Sequence, residues 1–100
     1  MVKDASIAVL IGELHKAFDP KELLVADHWE ADLFSVGFMR RGDSLRLLYV
    51  STRDEPAGAY TVVQEQQVGG VMSNSAAIEH LSADDVARHV VTFLGVAATS

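Results

Sequence analysis

The sequence predicts an α+β fold, a two-layer sandwich with an N-terminal helix, a three- to four-stranded antiparallel meander and a C-terminal helix, in one domain over residues 1–100. Three observations carry this. Apolar residues recur at helical spacing near both ends of the chain, and the middle breaks into short runs rich in Val, Leu, Tyr and Phe. The turns between those runs are too short for parallel crossovers, which need a dozen residues or more.

The first helix rests on Ile7, Leu10, Ile11, Leu14 and Phe18, an apolar stripe at i, i+3, i+4, i+7 and i+11 running from about Asp4 to Phe18. Pro20 has no amide hydrogen and biases Asp19 toward extended geometry, so the helix ends before it. Strands are predicted over Ala31 to Arg40, Leu45 to Thr52 and Ala59 to Gln66, and Leu23 to Ala26 is open between a short strand and a lead-in. Arg41-Gly42-Asp43-Ser44 and Asp54-Glu55-Pro56-Ala57-Gly58 join consecutive strands as hairpin turns. The Arg-Gly-Asp tripeptide inside the first of these reads as turn chemistry rather than an adhesion signal.

Strand Ala31 to Arg40 places Phe34, Val36 and Phe38 on one face and Ala31, Leu33 and Met39 on the other, which suits a central strand. With both helices on one side of the sheet, part of the second row is left for a binding surface or a homodimer contact. Gln67 to Ser75 reads as a loop, and Ala76 to Leu81 is open between an edge strand and a helical turn. Ser82 followed by Asp85 resembles a capping box and starts the second helix. Val86, Val90, Phe93 and Leu94 form its buried stripe, and Gly95 stops it.

The whole chain has 100 residues, 49% of them hydrophobic, and no cysteine. Disulfide frameworks, thiolate metal sites and thiol nucleophiles are therefore excluded, and the cysteine-free composition fits a reducing compartment. The longest apolar run, Ile7 to Ile11, is far short of the roughly 20 residues of a membrane span, and Lys3 and Asp4 before it make a poor signal peptide. A cytoplasmic protein is expected. Fourteen acidic against eight basic side chains give a formal charge of −6, which disfavours nucleic acid and anionic membrane as partners and favours a basic protein.

Asp27-His28-Trp29-Glu30-Ala31-Asp32 is the densest cluster of functional side-chain types. In extended geometry His28, Glu30 and Asp32 share one face, a pattern able to ligate zinc or iron if a further ligand joins them, and equally that of a solvated acidic strand entry. The site expectation is no metal and no cofactor. Trp29 ringed by Asp27, Glu30 and Asp32 has the composition of an interface anchor facing arginines or lysines, although a lone Trp also suits a core. There is no phosphate-binding glycine loop, nucleophile elbow or His-Glu-x-x-His helix, so no enzyme activity is expected.

The phrase Asp27-His28-Trp29-Glu30-Ala31-Asp32-Leu33-Phe34 before a strand, with a terminal helix opening Leu81-Ser82-Ala83-Asp84-Asp85 in a small acidic α+β chain, resembles the immunity proteins of bacterial contact-dependent growth inhibition and related polymorphic toxin systems. That resemblance implies a cytoplasmic protein, a monomer or weak homodimer, that binds a cognate toxin C-terminal domain, commonly a nuclease, and blocks its active site or substrate groove. A nuclease is basic where it holds phosphate, so an acidic surface complements it. Asp27, Trp29, Glu30 and Asp32, with Asp54 and Glu55 from the hairpin, are the expected contact residues. A small acidic secretion chaperone binding an effector segment, and a small-ligand or metal-binding domain, are the alternatives.

Overall fold

The computed structural model describes residues 3–26 and 32–99. Helix α1 spans Ala5–Ala17, where Asp4 accepts the Ser6 amide and so satisfies one of the free donors of the first turn. Ile7, Leu10, Leu14 and Phe18 are buried, as their spacing requires. Phe18 leaves the helix in extended geometry ahead of Pro20.

Six strands form one antiparallel sheet: β1 Leu23–Ala26, β2 Ser35–Arg40, β3 Asp43–Ser51, β4 Tyr60–Val68, β5 Val71–Asn74 and β6 Ile78–Leu81. The order is β1-β2-β3-β4-β5, and β6 pairs with the other end of β4. β5 and β6 thus follow one another along the same side of β4. The α+β class, the two helices and the meander agree with expectation, but the strand count is higher. Gln67 to Ser75 is a hairpin rather than a loop, because Gly69 and Gly70 both take left-handed backbone (φ 58° and 79°) and make a two-residue turn of the twist-compatible kind. The expected strand from Ala31 begins only at Ser35, since the Asp32 carboxylate accepts the Phe34 amide at 3.0 Å and closes a turn first.

Both helices cover one face of the sheet. Val36 pairs with Val50, Val50 with Val62, and Phe38 with Leu48, so these side chains share that face. They form a single buried cluster with the α1 stripe and with Val86, Val90 and Leu94. On the other face Leu24 lies beside Met39, and Tyr49 beside Val63, all half-buried. Helix α2, Ala83–His89, opens with the full capping box between Ser82 and Asp85. It then widens into a π-helical turn, Val90–Leu94, in which the Gly95 amide reaches the Val90 carbonyl. Arg46 uses this opening: it donates to the Phe93 carbonyl at 2.7 Å while paired with Asp43 at 2.8 Å, tying the helix terminus to β3. Among the described residues no helix is long and apolar enough to cross a membrane.

Candidate functional site

Polar side chains converge at the end of the sheet where β2 begins, β3 ends and β6 lies against β4. Three backbone and side-chain links assemble this end. The Asp4 amide donates to the Leu33 carbonyl at 2.8 Å, the Thr52 amide to Phe34 at 2.9 Å, and Ser6 Oγ to Thr52 Oγ1 at 3.0 Å. The start of α1 and the ends of β2 and β3 are thereby held in one place.

The carboxylates of Asp32 and Glu55 are each held there by several partners. Asp32 receives Arg53 at 2.8 Å, and its own carbonyl accepts Lys3 Nζ at 2.7 Å. Burial opposes the charged form of Asp32, but the nearby Ser35 hydroxyl, the Phe34 amide and Arg53 outweigh it and hold the carboxyl below its ordinary value. Ser35 Oγ is itself buried and closes no hydrogen bond of good geometry. The Arg53 guanidinium also lies over the Phe34 ring, 5.2 Å from its centre, which fixes the cation between a carboxylate and an aromatic face.

Glu55 is the more enclosed of the pair, its side chain only 3% exposed. It accepts the His80 amide at 2.7 Å, His80 Nδ1 at 2.6 Å and the Thr61 hydroxyl at 3.0 Å. The His80 amide is the largest of the influences that lower its pKa, ahead of the Thr61 and His80 side chains. To present both amide and ring to one carboxylate, His80 adopts left-handed backbone at φ 61°, unusual for a residue with a Cβ. Its other ring nitrogen, Nε2, lies 3.7 Å from Glu79. Arg53, Asp54, Glu55, Glu79 and His80, with Tyr49, Ser51 and Thr61, line a cleft of about 310 Å³.

Of the expected contact residues, Asp32, Asp54 and Glu55 fall together at this end. Asp27, Trp29 and Glu30 lie outside the described residues, as does His28 of the candidate metal set. Asp54, exposed and at φ 63°, has no ion-pair or hydrogen-bonding partner among the described residues. Sequence reasoning does not single out Arg53 and Glu79, and it weighs His80 only as one possible further ligand, with His15 and His89, for a metal at His28, Glu30 and Asp32. Only the pairing of β6 with β4 brings Glu79 and His80 to Glu55, twenty-five positions earlier than His80, and no local pattern announces that register. Exposed Leu33 and Phe34 border the same end. A second groove, between α1 and α2, is lined mainly by alanines and by the solvent-exposed Glu13–Lys16 pair, and gathers no comparable polar set.

The chain matches no family model, no curated protein and no solved structure.

Proposed function

We propose that this protein is an immunity protein that binds and neutralises a cognate toxin domain, a basic nuclease, through the acidic end of its sheet. The observation that carries the reading is the charge arrangement there: Asp54, Glu55 and Glu79 line one cleft together with Arg53, whose guanidinium is paired with Asp32, and Lys3 on the Asp32 carbonyl adds one more cation, so carboxylates outnumber the basic side chains. A net negative, concave surface bordered by the exposed apolar side chains Leu33 and Phe34 has the make-up of an interface with a charged rim and apolar anchors. Asp27, Trp29 and Glu30, which shortly precede Asp32 in sequence, are kept as contact residues in this reading on their sequence alone. Blocking a phosphate-binding groove needs no catalysis by the inhibitor. Complementary charge speeds capture of the toxin and makes the association sensitive to salt.

The test is capture of the toxin domain by tagged protein from its native cells at low and high salt, followed by co-expression of both and measurement of growth. The expected result is a single basic domain retained at low salt, weaker retention at high salt, and rescue of growth by the intact protein. The double variant Asp54→Lys/Glu79→Lys leaves the internally bonded Asp32 and Glu55 in place and is expected to lose about tenfold or more in affinity at low salt. Unchanged affinity and salt dependence in that variant rejects the acidic interface. Failure to protect growth against any captured domain rejects the immunity role.

A further inference from the structure

We infer that two copies of this chain associate through the free edge of β5, joining their sheets into one across a two-fold axis. The two segments on that side of the sheet differ in how they treat their edge. β6 carries Glu79 and His80, a left-handed backbone at His80 and a register shift against β4, all features that discourage another strand from adding. β5 has none of these. From Gln66 to Ile78 the chain runs for thirteen residues without Asp, Glu, Lys, Arg or His, although 22% of the protein is charged. Every residue of β5 is exposed, and Val68, Val71 and Met72 at the hairpin tip are 60%, 68% and 62% exposed.

The hairpin geometry sets the hydrogen bonds on offer. A two-residue turn makes the flanking Val68 and Val71 a hydrogen-bonded pair, and antiparallel ladders alternate, so Met72 and Asn74 turn their N–H and C=O groups to the open edge. The ladder with β3 stops at Arg46–Gln66, so beyond it β4 and β5 form a two-stranded ribbon. Such a ribbon is marginal in water unless further strands support it.

Charge selects a second copy as the occupant. A basic toxin domain finds no carboxylate on this segment, whereas two molecules of formal charge −6 approach each other with least repulsion where neither carries charge. A short strand is also its own antiparallel complement under two-fold symmetry. The acidic end lies at the opposite end of β4, so both copies keep it free, and the inference does not depend on what that end binds. Four-residue strands bury little compared with the roughly 1,200 Å² or more of stable interfaces, which places the dissociation constant in the micromolar-to-millimolar range.

The test is the molar mass of the full chain by light scattering from about 10 µM to about 1 mM, with amide exchange measured across the same range. The expected mass rises from 10.8 kDa toward twice that value and stops there. Met72 and Asn74 amides become protected as it rises. Val71→Lys is expected to shift the transition at least tenfold in concentration, while Val9→Lys on α1, equally a lysine on an exposed apolar site, leaves it in place. A monomer throughout, unaltered association in Val71→Lys, masses that keep growing past two chains, or protection elsewhere than β5 each overturns the inference. The exchange data on the unaltered protein decide the matter even if Val71→Lys does not fold.

Discussion

Glu55 shows how one side chain joins three distant pieces of chain: its own loop, Thr61 at the start of β4 and His80 in β6. Because its folded pKa is depressed, the carboxylate contributes stability that is complete above its unfolded value of about 4.3 and is lost as pH falls through the folded value. Asp32 and Asp85 are shifted the same way, Asp32 by Ser35, Phe34 and Arg53 against burial, Asp85 chiefly by the Ser82 amide. The denaturation midpoint is therefore expected to be flat from pH 7 to about pH 5 and to drop below about pH 4. Glu55→Gln is expected to be less stable than the unaltered protein at pH 7 and to lose less between pH 5 and pH 3. Parallel curves for the two proteins would show that Glu55 is not a titrating tie.

Elements here are stabilised where a stripe meets the sheet and are stopped by specific backbone chemistry. Val86 and Val90 are fully buried in α2 and the turn after it, Phe93 is half-buried, and Arg88 is an exposed partner of Asp85 at 2.6 Å. Val90→Ala is expected to cost on the order of 1–4 kcal/mol and Arg88→Ala no more than about 1 kcal/mol, measured by urea denaturation. Equal small losses at both positions would mean that the buried face is misassigned. Ser82→Ala removes the oxygen that accepts the Asp85 amide at 3.1 Å, and a loss of about 1 kcal/mol is expected. In the β4–β5 hairpin, Gly70→Ala places a Cβ on left-handed backbone at φ 79° and is expected to cost about 1–2 kcal/mol.

At the scale of the molecule, the sheet divides its labour along the length of β4. One end collects Asp54, Glu55 and Glu79 around a cleft, and the other ends in an uncharged ribbon with an open edge. The helices occupy one face throughout, so partners have the opposite face and the two ends available. The Asp54→Lys/Glu79→Lys variant and Val71→Lys therefore act on separate surfaces, and their effects on the proposed toxin binding and the proposed self-association are expected to be independent, with the triple variant additive within about 0.5 kcal/mol. A change in toxin affinity caused by Val71→Lys alone would show that the two ends are coupled.

The helices, the antiparallel meander and the core stripe are legible in the sequence, because period, capping residues and turn residues are local and act over a few positions. Ile7, Leu10, Leu14 and Phe18 are buried as their spacing demands, and Ser82 and Gly95 bound the second helical segment as their chemistry demands. The β5 strand was illegible because its residues are all exposed, leaving no apolar alternation to read, and the start of β2 was misplaced because a carboxylate-closed turn at Asp32 outweighs the strand preference of Leu33 and Phe34. At the candidate site, Asp32, Asp54 and Glu55 were visible as acidic residues near turns, but not what each carboxylate does. That Asp32 is paired with Arg53 and Glu55 with His80, while Asp54 stays open to solvent, follows from long-range contacts. Those partners come together through strand register, which is set by the packing of the whole sheet against two helices rather than by any neighbouring residue.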